Sequence, residues 1–436
     1  MARTVAFITM GCAKNEVDSA HMAEKLVAAG YAVSADPDTA DAIIVNTCSF
    51  IQAATEESIE AILDAAESDA IAERGALLLV AGCMPARYGD DLLPEFPEVA
   101  AFVPCNDEEN IAAILDGLFE KSDAKPSEAL CDPYEPHVEP SAYVKISDGC
   151  DRFCSYCSIP YIRGRYHSFS LSDIRAEVSK EIASGAREIV LIAQDTGRWG
   201  TDLNPQSSLP ELVSVLAEEF RDTWFRILYI QPEGVTDDLI EAVATHENVC
   251  SYFDIPFQHV VPRLLKAMNR SGSREDYEDL LDRILKRIPD AALRTTLIAG
   301  FPGETDEDFD ELCAFAEEAP LDYIGVFAYS REEGTRAYGL PDQIDDDEKA
   351  YRAQRLRDIG DNASAARIAE RIGREMDVLV CGAEEDGQLY GRAACQAPDV
   401  DGVTYLGEGA IGDIIRVRIV DTLLYEMEGE LADELR

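Results

Sequence analysis

The sequence has no run of about 18 consecutive apolar residues, so nothing in it reads as a membrane span. Its beginning, MARTVAFITMGCAKNEVDSA, carries a short apolar stretch but no small-residue cleavage site. That stretch reads as a first β-strand and not as a signal peptide, so the protein is expected to remain in the cytoplasm. Basic side chains are scarce, 38 against 85 acidic ones, for a net charge of −47. A surface of that sign repels nucleic-acid phosphates and attracts basic partners, although it equally serves solubility. No internal repeat of solenoid type is present.

The 436 residues suffice for two or three domains, and a hydrophobic content of 47% supplies large cores. Twelve cysteines are many. A reducing cytosol argues against a disulfide framework, which leaves metal binding, catalysis or small core residues.

Residues 1–120 alternate β-rich and helical stretches, with strands expected at Thr4–Thr9, Ala42–Val45, Leu77–Val80 and Ala101–Val103. This α/β alternation predicts a doubly wound, mostly parallel sheet. Residues 121–140 hold four prolines and read as a linker, with Cys131 a bystander. From 141 to 373 a second α/β series predicts a partial, TIM-like (β/α) barrel. Its strands are expected at Ala142–Ser147, Glu188–Ala193, Trp224–Ile230, Tyr252–Ile255, Arg294–Ile298 and Ile324–Tyr329. Ser172 or Asp173 is expected to cap the first helix of that series, and Gly185 to end it. Thr305 and Asp308 have the spacing of a capping box, which puts Cys313 on an apolar helix face. Residues 374–436 alternate as a small antiparallel β-barrel, with Cys381 and Cys395 structural.

The sharpest chemical signal is Gly149-Cys150-Asp151-Arg152-Phe153-Cys154-Ser155-Tyr156-Cys157, in the loop after the first barrel strand. Three thiolates at CxxxCxxC spacing can take three corners of a cubane iron–sulfur cluster and leave the fourth iron open. Zinc would need a fourth ligand, for which His167 and Cys105 are candidates. A second triplet is dispersed: Cys12, Cys48 and Cys83 each follow one of the first three expected strands and precede a helix. In a doubly wound sheet those positions converge on one crevice, where helix N-termini favour thiolates. Three buried small hydrophobes are the alternative. Cys105 follows the fourth expected strand, farther from the centre of the sheet, and reads as a bystander. His259 ends another barrel strand, as either a structural histidine or a catalyst.

The CxxxCxxC segment closely resembles the radical S-adenosylmethionine superfamily. The resemblance implies that S-adenosylmethionine chelates the open iron, with Tyr156 near the adenine. It also implies that Gln194 and Asp195 lie near the cofactor's methionine end; an ordinary polar loop is the alternative for that pair. Over the full chain the sequence resembles the methylthiotransferases, in NTCSFI around Cys48, AGC at Cys83, GCDRFCSYCSIPYIRG at 149–164 and GFPGETDEDF at 300–309. The family joins a three-cysteine domain, a radical barrel and a C-terminal TRAM domain. It implies two 4Fe–4S clusters, one on Cys12, Cys48 and Cys83 and one on Cys150, Cys154 and Cys157.

One branch of that family modifies adenosine in tRNA; the other modifies an aspartate of small-subunit ribosomal protein S12. AQDTGRWGTDL at 193–203, ILYIQPEGVTDDLI at 227–240, YFDIPFQH at 252–259 and APDVDG at 397–402 look like the second branch. Five basic and fifteen acidic residues in 374–436 agree with it, since a tRNA-gripping domain wants the opposite sign. One departure is Phe169, where the family commonly has arginine. The mechanism implied by the resemblance methylates a sulfur on the first cluster. It then uses a deoxyadenosyl radical from the second to take hydrogen from the aspartate β-carbon. A one-electron donor such as a flavodoxin or ferredoxin is implied.

Overall fold

Runs of β-branched and aliphatic residues build a five-stranded parallel sheet near the N-terminus. Its strands are β1 (Thr4–Thr9), β2 (Ala32–Ser34), β3 (Ala42–Thr47), β4 (Leu77–Gly82) and β5 (Val99–Pro104), in the order β2-β1-β3-β4-β5. The computed structural model describes residues 2–121 and 140–432. Most of the expected linker, with Cys131, lies outside the described residues. The described chain divides into two units. The first holds the five-stranded sheet together with Gly149–Asp151 and Cys157–Arg165; the second holds the remainder.

Every residue of β3 is buried, as expected of a central parallel strand covered on both faces. Ile43 and Val45 join Ile62 and Val80 in one apolar cluster, while Ile44 joins Val5, Leu26 and Leu115 in another. Strand order reverses between β1 and β3, so this edge is the switch point of the sheet. The short β2 has no counterpart among the expected strands. Three residues carry too little alternation to be read, and β2 exists by pairing with β1.

In the second unit, six parallel strands form two three-stranded sheets. They are β6 (Ser141–Lys145), β9 (Glu188–Ile192), β10 (Trp224–Ile227), β11 (Tyr252–Asp254), β12 (Ala292–Ala299) and β13 (Tyr323–Ala328). A two-stranded ribbon, β7 (Ser147–Asp148) with β8 (His167–Ser168), branches from the first of them. The sheets β6-β9-β10 and β11-β12-β13 meet where Phe225 N–H donates to the Asn248 carbonyl and Cys250 N–H to the Phe225 carbonyl, both at 2.8 Å. The result is a partial barrel whose Leu191, Ile227, Phe253 and Leu297 share one apolar core with the helix residues Leu212, Leu239 and Leu312. Helix Leu171–Ala183 is capped by Ser170, whose side chain accepts from Asp173 N–H, and not by Ser172 or Asp173. Asp173 is the third helical residue, whose amide the cap serves. The capping box of Thr305 and Asp308 is present, and Cys313 is buried on that helix.

A closed five-stranded barrel follows: β14 (Glu375–Ala383), β15 (Leu389–Ala393), β16 (Thr404–Leu406), β17 (Ile414–Leu423) and β18 (Glu426–Leu431), ordered β14-β15-β16-β18-β17. Its pairs are antiparallel except β16 with β18, which run parallel and close the ring. Cys395 is buried and Cys381 half-buried.

This small barrel is joined to the larger one through buried ion groups. Arg226, fully buried, donates to Glu188 at 2.8 Å and to the Ala394 carbonyl at 2.8 Å. Arg392 pairs with the other Glu188 oxygen at 2.8 Å. Nearby, Arg294 lies 2.9 Å from Asp254 and 3.5 Å from Asp401, which also accepts from the Tyr252 hydroxyl at 2.6 Å. Burial pushes Asp401 up to about 6 against the pull of Arg294. Burial alone would raise Glu188 too, but Arg392 and Arg226 outweigh it and hold the carboxyl at about 2.

Glu188→Gln would leave two guanidinium groups buried without their counter-charge. We expect a loss of roughly 3–5 kcal/mol in urea unfolding at neutral pH. A carboxyl held low contributes stability above its unfolded value and loses it as pH falls toward its folded value. The gap between variant and native chain should therefore narrow between about pH 4.5 and pH 2.

Candidate functional site

The C-terminal ends of β1, β3 and β4 present Cys12, Cys48 and Cys83. Gly11 and Gly82, each just ahead of a cysteine, have φ of 98° and 93°, a region L-residues avoid. A Cβ on Gly11 would fall 2.6 Å from Cys48 Cβ, and one on Gly82 would fall 2.3 Å from Asn46 Oδ1. The turn leaves Cys12 as N-cap of helix Ala13–Ala28 and Cys83 as the first residue of helix Cys83–Tyr88. Cys12 is exposed; Cys48 and Cys83 are buried.

Asn15 ties these strand ends together. Its Nδ2 donates to the Met10 carbonyl at 2.9 Å and to the Thr47 carbonyl at 3.0 Å, just before Cys12 and Cys48. Cys48 N–H donates to Ser58 Oγ at 3.1 Å. Burial raises the Cys48 thiol to about 11, with smaller contributions from Cys83 and Cys12. Cys83 moves the other way: the neighbouring Cys105 thiol and Arg163 together lower it against burial.

Cys105 therefore stands against Cys83, contrary to its expected remoteness. Strand β5 pairs directly with β4, so the residue after Pro104 reaches the neighbour's strand end. Arg163 was not read as part of this group either. It follows the CxxxCxxC motif in sequence, yet its segment belongs to the first unit.

The loop Arg152–Tyr156 of the second unit is held by its own contacts. Arg152 Nε lies 2.5 Å from Asp195 Oδ2, and its Nη1 lies 3.0 Å from Glu233. Asn269 Nδ2 donates to the carbonyls of Arg152 and Phe153, and Ser155 N–H donates to the Met268 carbonyl. Both oxygens of Asp195, expected beside a cofactor, are thus engaged by Arg152, and burial raises this carboxyl above its ordinary value. Tyr156 packs against the barrel core. Cys150 is buried, and Cys154 and Cys157 are half-buried. Among the described residues, no three His, Cys, Asp or Glu side chains are drawn together closely enough to hold a metal ion.

Gln194 Oε1 and Gln231 Oε1, just past β9 and near the end of β10, are buried with no hydrogen-bond partner, and so is Ser155 Oγ. Buried polar atoms are nearly always satisfied, so these three, without a partner among the described residues, could receive a polar group. Gln231 lies within the family-like segment 227–240, but nothing in that segment points to its own side chain. His259 is fully buried: its Nδ1 accepts from Val260 and Val261 N–H at 2.9 and 3.1 Å, and its Nε2 lies 3.3 Å from Glu304. Glu304 also pairs with Arg352 and accepts from Gly300 N–H, so His259 is part of a structural network. His167 is exposed and meets the Phe169 ring edge-on at 5.4 Å. Phe169 packs on the barrel core, so an apolar contact occupies the place of the family's usual arginine.

Fold and site together define a radical S-adenosylmethionine protein with a cysteine-bearing parallel sheet before the barrel and a small β-barrel after it. Residues 4–104 match a family described as uncharacterized protein family UPF0004, residues 144–316 the radical SAM superfamily and residues 372–432 the TRAM domain. The chain is 42% identical to the ribosomal protein uS12 methylthiotransferase RimO of Syntrophotalea carbinolica, over 99% of this chain and 97% of that one. It is 42% identical to the protein of the same name from Geobacter sulfurreducens, over 98% of each. The chain belongs to the family of the RimO ribosomal protein uS12 methylthiotransferases. Its fold is similar to that of the radical S-adenosylmethionine methyltransferase TsrM from Kitasatospora setae, at a TM-score of 0.56 and 14% identity, covering 77% of this chain and 74% of that one. No helix among the described residues is long and apolar enough to cross a membrane.

Gly82→Ala would force a left-handed φ on alanine and a clash with Asn46. We expect a loss of roughly 1–3 kcal/mol in thermal or urea unfolding, with faster alkylation of Cys83. Gly75→Ala, where nothing lies within 4 Å, is the matched control for left-handed strain alone.

Proposed function

We propose that this protein adds a methylthio group to the β-carbon of an aspartate in ribosomal protein uS12, in the cytoplasm. In this reading Cys12, Cys48 and Cys83 would hold one 4Fe–4S cluster and Cys150, Cys154 and Cys157 a second. The observation that carries it is the presence, in one chain, of two cysteine triplets, one dispersed over three strand ends and one compact at CxxxCxxC spacing. Cys12, Cys48 and Cys83 follow the strands of a parallel sheet braced by Asn15; of the other triplet, Cys154 lies in a loop steadied by Asp195 and Asn269. The unpartnered acceptors of Gln194 and Gln231 suit the amino or hydroxyl groups of S-adenosylmethionine, and Tyr156 offers an aromatic face. The bound cofactors supply a carbon radical able to take hydrogen from an unactivated C–H bond; no side chain of this protein can do that. The protein's own part is to bind, orient and shield. A flavodoxin or ferredoxin would supply the electron.

The small C-terminal barrel supports a protein substrate over tRNA. Among its described residues, Arg392, Arg416 and Arg418 are all in ion pairs, with Glu188, Asp377 and Glu375 respectively. These three arginines are therefore matched by nearby acids, and a basic ribosomal protein is the complementary partner.

Gln194→Leu keeps much of the side chain's bulk but removes an acceptor. It should weaken S-adenosylmethionine binding about tenfold by equilibrium dialysis, the effect of losing one charge-assisted hydrogen bond. For the substrate, reconstituted enzyme is given uS12 and tRNA together, and both are analysed by mass. A methylthio group on the uS12 aspartate, with unmodified tRNA, is the expected result. Product on tRNA adenosine alone would reverse the substrate assignment.

A further inference from the structure

We infer that Arg163 is a positioning residue for the N-terminal cysteine triplet, and that it tunes the cluster held there although it lies in the sequence motif of the other. The inference rests on the proposed assignment of Cys12, Cys48 and Cys83 to a cluster. Arg163 comes six residues after Cys157, and its side chain is only 3% exposed. One guanidinium nitrogen, Nη1, lies 2.6 Å from Asp18 Oδ2. The other, Nη2, donates to Asn15 Oδ1 at 2.8 Å and lies 3.7 Å from Cys83 Sγ, within reach of an N–H···S hydrogen bond.

The arrangement is a relay of fixed donors. Asp18 sets the guanidinium in place, and Asn15 receives one of its N–H groups. Through its own Nδ2, Asn15 holds the carbonyls of Met10 and Thr47. One side chain thus bears on the segments ahead of Cys12 and Cys48 through Asn15, and on Cys83 directly. Arginine suits this work because its planar fork directs several donors at once and stays charged when buried. Lysine would give a point charge and lose the fork.

Hydrogen bonds to cluster sulfurs stabilise the more negative, reduced state and so raise the midpoint potential. Asp18 offsets much of the net charge, so the hydrogen bond to Cys83 and the ordering of the three segments are what Arg163 adds. Its loss should shift the midpoint of the N-terminal cluster to a more negative value. The radical cluster, although its cysteines are nearer in sequence, should keep its midpoint.

The test uses full-length protein reconstituted with iron and sulfide. In a background with Cys150, Cys154 and Cys157 replaced by Ala, Asp18→Asn with Arg163→Gln removes both buried charges together, and Arg163→Lys alone keeps the charge. Redox titrations followed by electron paramagnetic resonance should show a more negative midpoint in the double variant and partial recovery with Arg163→Lys. In the reciprocal background, with Cys12, Cys48 and Cys83 replaced by Ala, the same changes should leave the midpoint where it was. An N-terminal cluster of unchanged potential, or a shift confined to the radical cluster, would overturn the role given to Arg163. A first background that binds no iron would instead overturn the cluster assignment, and the inference with it. Should the double variant fail to fold, the Lys variant decides: an unchanged midpoint there overturns the inference, and a negative shift supports it.

Discussion

A parallel strand delivers whatever follows its last residue to one edge of its sheet, and the proposed site of this protein depends on that constraint. Strands β1, β3 and β4 are followed within a few residues by Cys12, Cys48 and Cys83 respectively, which lie far apart in sequence. Strands β9 and β10 of the second unit lead into Gln194 and Gln231 in the same way. Neither group could be assembled by a short local motif. Each is a product of register: a one-residue slip in a strand would turn its side chains to the opposite face.

The electrostatics of the interior run against the composition. The chain is strongly acidic, yet its buried ion groups are organised around arginines. Arg163 meets Asp18, Arg226 and Arg392 share Glu188, Arg294 stands between Asp254 and Asp401, and Arg352 braces Glu304. Each lies where two elements distant in sequence must hold one geometry. A buried pair adds little net stability over apolar packing, but losing one partner is costly, which makes such pairs effective at fixing position.

Much of this was legible in the sequence, for identifiable reasons. The continuous apolar runs of β3 and β9 marked parallel strands, and the spacing put Cys12, Cys48 and Cys83 each just after a strand of one sheet. The Thr305 and Asp308 capping box is local and could be read directly. What could not be read is tertiary. Nothing in the sequence brings Cys105 to Cys83, because that depends on which strand neighbours which. Nothing near Arg163 points to Asn15, because the contact joins segments almost 150 residues apart. Asp195 showed its place at a strand end but not its partner, Arg152. The APDVDG segment, read as a mark of substrate preference, has a structural task as well: Asp401 anchors the small barrel on Arg294 and Tyr252.

The central claim is that the two cysteine triplets divide the reaction between them. The most direct measurement replaces Cys12, Cys48 and Cys83 together by Ala in reconstituted full-length protein, with circular dichroism to verify the fold. It then follows two products in the same tube. The account predicts that 5′-deoxyadenosine still forms from S-adenosylmethionine, while no methylthio group reaches uS12. Retained methylthio transfer would contradict it and reduce the three cysteines to packing residues.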